Sequence, residues 1–124
     1  MSGEVHIITI TVGALTNETV PIFKTPTDAR GGGITVLSAS VIQAGTPDSS
    51  LRLVTLGSGG TVVSGTITTT AIGGTTDQFI NNAPKAFAIA TAFVDANTWI
   101  GLKEYSVEAG SVDCRVTLNY VMGK

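Results

Sequence analysis

One histidine and one cysteine, His6 and Cys114, carry most of the chemistry this sequence has to offer. Imidazole works near neutral pH as a general base or metal ligand, and a thiolate works as a nucleophile or soft ligand. Neither has the company its chemistry needs. A zinc site takes three or four ligands, and the chain holds one residue of each type in unlike settings. A hydrolase of the nucleophile-elbow kind shows Gly-x-Ser-x-Gly, a string absent here. His6 alternates with Ile8, Ile10 and Val12, so it opens an apolar strand face, the place of a structural histidine. Cys114 has no partner for an internal disulfide and reads as a small buried hydrophobe.

The remaining candidates fail on spacing. Glu104 and Glu108 flank Tyr105 like a glycosidase carboxylate pair, but nothing fixes their separation, and a wet strand edge is their expected home. Gly57-Ser58-Gly59-Gly60 lacks the Lys-Ser or Lys-Thr of a phosphate loop and joins two strands instead of opening a helix, so it is a hairpin turn. Asp28, Asp48, Asp77 and Asp95, with Asn81, Asn82 and Asn97, fall in loops without the alternating carboxylates of a calcium loop. They are turn residues, which bond their own backbone. Trp99 and Tyr105 would stack on sugar rings if exposed on one surface; Trp99 reads better as an anchor in a core or subunit interface. The expectation is therefore a non-enzyme, with no catalytic residue, cofactor or metal.

Charged residues make up 13% of the chain, about half of what soluble domains usually carry. Thr, Ser and Gly stand in their place, and the runs 31–47 and 53–76 hold no charge at all. Such a surface suits one covered by other subunits or by a larger particle. The net charge is −2 and the basic residues are scattered, so no stripe for nucleic-acid phosphates is expected. The longest apolar segment, Ala86 to Val94, is less than half of the ~20 residues that span a bilayer. Met1 to Glu4 carries no basic residue and Val5 to Val12 is interrupted by threonine, so no signal peptide is expected.

Strand patterns separated by turn residues fill the chain. Val5–Val12 is rich in Ile, Val and Thr, and Val20–Lys24 holds Pro21, which has no amide hydrogen and so marks either an edge strand or a strand start. Ile34–Gln43 is long and is expected to pair with Leu51–Leu56 across the turn at Gly45. Thr61–Thr70 follows, with Thr66, Thr68 and Thr70 toward solvent. Ala86–Val94 sets Phe87, Ile89 and Phe93 on a core face and four alanines on the other. Trp99–Lys103 leads to the last strand, where Cys114, Val116, Leu118, Tyr120 and Met122 point inward. Residues 1–124 thus read as a single domain, an all-β antiparallel sandwich of about eight strands, jelly-roll-like.

Five stretches carry a family likeness: Phe23-Lys24-Thr25-Pro26, Gly31-Gly32-Gly33-Ile34, residues 83–87 (Ala-Pro-Lys-Ala-Phe), residues 97–102 (Asn-Thr-Trp-Ile-Gly-Leu), and the ending Asn119-Tyr120-Val121-Met122-Gly123-Lys124. In these the chain resembles the small β-sandwich structural proteins of tailed bacteriophages, the capsid decoration (cement) proteins and related head and tail components. The resemblance implies a module, often trimeric, on the outer capsid that clamps neighbouring major capsid subunits. Its partners would be the major capsid protein and further copies of itself, with no nucleic acid, membrane or small-molecule substrate. Its location would be the virion, after synthesis in the host cytoplasm. The expected capsid contacts are Ser2, Gly3 and Glu4 of the N-terminal segment, with Lys24, Thr25, Asp28 and Arg30 around the Thr25–Gly33 loop. The expected subunit contacts are Ala88, Ala90, Ala92 and Trp99. The alternative is a carbohydrate- or receptor-binding module of a tail, fibre or secreted protein, built on Trp99 and Tyr105.

Overall fold

A computed structural model describes residues 4–27, 30–47, 49–57, 59–68, 70–74, 77–105 and 112–123. The strands are β1 (His6–Val12), β2 (Thr19–Lys24), β3 (Gly33–Gln43), β4 (Ser50–Leu56), β5 (Val63–Thr66), β6 (Ile72–Gly73), β7 (Lys85–Ala86), β8 (Phe93–Asp95), β9 (Trp99–Tyr105) and β10 (Cys114–Met122). One short 3-10 turn, Arg30–Gly32, precedes β3.

Two antiparallel sheets result. The first runs β1-β10-β3, with β7 and β8 sharing the far side of β3; the second runs β2-β9-β4, with β5 and β6 sharing the far side of β4. Among the described residues, ten strand segments therefore fill eight positions, four in each sheet. Strands β1 to β4 alternate between the sheets, as do β9 and β10, and that wrapping is the jelly-roll arrangement.

The alternation read in β10 holds: Cys114, Val116, Leu118 and Tyr120 are buried against Val12, Ile10, Ile8 and His6 of β1. On its other side β10 pairs with β3, where a bulge skips Leu37 between the partners of Asn119 and Tyr120. The bulge leaves Leu37 half exposed and returns Ile34 and Val36 to the core side. Opposite them stand Leu51 and Leu53 of β4 with Ile100 and Leu102 of β9, all fully buried. Pro21 does sit on an edge strand, β2.

Three expectations are corrected. Strand β4 does not pair with β3, because β10 and β7/β8 already occupy both sides of β3. The intervening segment crosses to the other sheet instead. It is pinned by Gln43, which donates from Nε2 to Ser49 Oγ (3.2 Å) and accepts from the Val112 N–H (3.2 Å). Next, Ala86–Val94 is not one strand. Its middle leaves β3 for the neighbouring sheet, where the Ala90 and Thr91 N–H groups donate to the Ile67 carbonyl at 2.8 and 3.0 Å, and the sandwich closes at that edge. Phe87 is still buried and Ala86, Ala88 and Ala90 still exposed, but past the break the period changes phase: Thr91 is exposed, Phe93 is only half-buried and Val94 takes the core position. Thr68, finally, is fully buried beside that junction, not solvent-facing.

Candidate functional site

The register gathers several of the proposed contacts at one end of the sandwich. His6 of β1 lies opposite Tyr120, near the end of β10, and Met122 lies opposite Ile34 at the start of β3. Gly33 pairs with Asp95, and Lys24 closes β2 opposite Trp99. The chain's first described residues, the loop after β2, the β8–β9 turn and the glycine loop after β4 therefore meet there. Glu4 is exposed, with Oε1 3.9 Å from His6 Nε2, and the His6 ring stacks on Tyr120 at 5.2 Å. Ser2, Gly3 and Asp28 lie outside the described residues, and the Arg30 backbone opens the 3-10 turn before β3.

Thr25 is the pin of this end. Its hydroxyl donates to the Asp95 carbonyl (2.7 Å) and accepts from the Thr98 N–H (2.9 Å), and its own N–H donates to the Thr98 carbonyl (2.9 Å). At 1% exposure its side chain is spent inside the fold. Lys24 is exposed, with its ammonium 5.9 Å from the centre of the Trp99 ring. Trp99 is half-buried: Gly60 lies so close that a Cβ there would stand 3.1 Å from the indole. Ala88 and Ala90 are exposed and Ala92 half-buried, in the segment that crosses at the edge where the sheets meet.

Trp99 and Tyr105 both project from the outer face of β9, six residues and so about 20 Å apart. They do not form one platform for a sugar. Tyr105 is flanked by two cations, Arg52 at 5.1 Å and Lys103 at 4.8 Å from its ring centre. Sequence inspection takes the basic residues as scattered; only the register of β4 on β9 places Arg52 opposite Lys103.

Glu104 is not at a wet edge. It points into the sandwich opposite Leu51 and is fully buried, while Glu108 lies outside the described residues. Its Oε1 accepts from the Asn17 N–H (2.6 Å) and its Oε2 has no hydrogen-bond partner among the described residues. Burial pushes its pKa up, the Asn17 and Ser50 N–H groups oppose that, and the Glu18 carboxylate adds to it. A carboxyl with a raised folded-state pKa holds its proton more tightly in the folded chain than in the unfolded one. Its stabilising contribution is full below the unfolded pKa and is lost as pH rises through the folded value. Glu104→Gln is expected to stabilise the protein by about 1 kcal/mol at pH 8, and by less at pH 4. Urea unfolding at the two pH values checks this; an equal difference at both would remove the buried charge as its cause.

Burial and the neighbouring Asp113 raise Cys114 to about 11, so it is a thiol packed in the core. Among the described residues, no group of three or more His, Cys, Asp or Glu side chains converges to hold a metal.

No protein-family model matches the chain, and no curated protein matches it in sequence. Among solved structures, the fold is similar to a chain of the cyanophage Pam1 capsid asymmetric unit. The TM-score is 0.60 at 16% identity, and the match covers 97% of this chain and 85% of that one.

Proposed function

We propose that the protein is a structural component of a phage virion, a decoration protein that sits on the assembled capsid lattice as one sandwich domain and stabilises it. The observation that carries this reading is a likeness in fold that spans nearly the whole chain and a chain of a phage capsid unit. The sparse charge supports it, as does the clustering of Glu4, Lys24 and the loop after β2 at one end. A protein that binds the assembled lattice and not its free subunits stabilises the lattice by mass action. The docking end is the one holding the N-terminal segment and residues 26–32, and three copies meet at each site.

The test uses capsids assembled without the protein, and cosedimentation with purified protein. Removing residues 2–4 and replacing residues 26–32 with a Gly-Ser linker, while keeping Thr25 and Gly33, is expected to weaken capsid binding at least tenfold. Each lost charge-assisted contact is worth about that factor. Thermal unfolding of the free protein should barely change. Unchanged capsid binding would overturn the docking end, and no binding by the intact chain would overturn the decoration role. Light scattering should give a mass near three times 12.6 kDa.

A further inference from the structure

The outer face of the β2-β9-β4 sheet is electrostatically one-sided. Antiparallel register puts Lys24, Lys103 and Arg52 on it, opposite Trp99, Arg52 and Lys103 respectively, or beside them. No described carboxylate projects from the same strand faces, since Glu104 alternates to the inner side. A chain with a net charge of −2 thus concentrates three of its seven cations on one sheet face.

The centre of this face is a pair that does not stabilise itself. Arg52 and Lys103 stand directly opposite each other, and like charges in that position are destabilising. Both lean on the Tyr105 ring, whose electron-rich face holds cations within ~6 Å. Neither forms an ion pair with any described residue: the described pairs are Glu4 with His6 and Asp77 with Lys85. The Arg52 Nε–H is buried with no acceptor among the described residues. Two cations held about one aromatic ring, unpaired with any described carboxylate, suit an incoming anion.

We propose that Arg52 and Lys103, positioned by Tyr105, form a carboxylate-binding site, and that this sheet face takes an acidic segment of a second protein. Planar guanidinium donors match a carboxylate in a two-point contact, and the ammonium adds a second charge-assisted bond. A nucleic-acid backbone fits less well. It asks for a continuous track of cations, whereas Lys24 lies at the opposite end of the face, Lys85 is held by Asp77 at 2.7 Å, and Arg115 belongs to the other sheet. The proposal goes beyond the decoration reading and stands without it, because the isolated protein suffices to test it.

The probe is a short peptide of alternating Asp and Glu, titrated into the labelled protein while backbone amide shifts are followed by NMR. Shifts are expected to centre on β4 and β9, to fade with added salt, and to be absent with the Asn/Gln version of the peptide. Arg52→Gln and Lys103→Gln should each weaken binding about tenfold. Lys103→Glu, which gives Arg52 a cross-strand acid, should abolish binding while raising the melting temperature, and it supplies a folded variant if either Gln change fails. Shifts that lie elsewhere, or that all three variants leave unchanged, would overturn the site. Tighter binding of a thymidine oligonucleotide than of the acidic peptide would overturn the choice of a protein partner.

Discussion

Gly33→Ala is expected to lower the melting temperature by about 10 °C, read by circular dichroism. Gly33 opens β3 at the end where the N-terminal segment, β8 and the last residues of the chain converge. A Cβ built there would lie 2.1 Å from the Val94 carbonyl oxygen, 2.8 Å from Phe93 Cζ and 3.0 Å from Asp95 Cα. Two of these atoms are backbone, so no rotamer change relieves the contact and β8 itself must move. The same residue accepts the Gly123 N–H through its carbonyl at 2.8 Å, and the neighbouring Gly32 carbonyl accepts the Ala96 N–H at 2.8 Å. Displacing β8 therefore loosens three segments together. Overpacking of a core costs roughly 1–3 kcal/mol, and a backbone obstacle belongs at the top of that range. At about 4 °C per kcal/mol for a chain of this size, the shift follows. Gly13→Ala is the control, since nothing stands within 4 Å of a Cβ there, and its effect should stay within about 0.5 kcal/mol. A Gly33→Ala melting curve that overlays the parent would show that β8 does not hold the start of β3 as described.

What could be read from the sequence was whatever repeats with a period of two. The inward face of β10, the apolar face that His6 opens and the edge position of Pro21 all follow from local pattern, and the structure keeps each of them. Partner choice between sheets is not local. The turn after Gln43 looks like a hairpin because adjacent strands often pair, yet both sides of β3 are claimed by residues 85–95 and 114–122. Glu104 shows the same limit. Its alternation with Leu102 placed it on an inward face all along, but a carboxylate beside Tyr105 invites the wet reading; the Asn17 N–H that receives it comes from a loop 87 residues away. Of the proposed contacts, Lys24 and Glu4 emerge exposed and Thr25 as an internal clamp. Residue type alone did not separate them, because a threonine after a strand serves either role. The Arg52 and Lys103 pair is not legible in the sequence for a related reason: cations distant in sequence become neighbours only through register.

Phe79→Ala is expected to have the larger effect of the two core changes, a loss of about 3–5 kcal/mol in urea unfolding. Phe79 lies between β6 and β7 and outside any strand, yet it is completely buried and is the largest side chain so enclosed among the described residues. The next residue, Ile80, is 70% exposed, so two adjacent apolar residues divide between core and solvent where no alternation could assign them. The ring lies over Gly73, where a Cβ would stand 2.5 Å from Phe79 Cε2, and the positive φ of 91° already reserves that position for glycine. It closes the end of the sandwich opposite the proposed docking end, as buried Leu15 does between β1 and β2. Truncation leaves a cavity that the flanking sheets, held by β3 and β4, cannot collapse to fill. It also frees a loop whose Asn81 accepts the Gly45 N–H at 2.6 Å and whose Asn82 N–H donates to the Gln43 carbonyl at 2.9 Å. Amides of Gly45 and Asn82 should then exchange faster in the variant, while those of β9 next to Trp99 keep their protection. Capsid binding, measured at a temperature where the variant is folded, should match the parent, because the lesion and the docking end sit at opposite poles. Equal loss of binding in Phe79→Ala and in the variant lacking residues 2–4 and the loop would mean that the contact depends on the whole fold and not on one end.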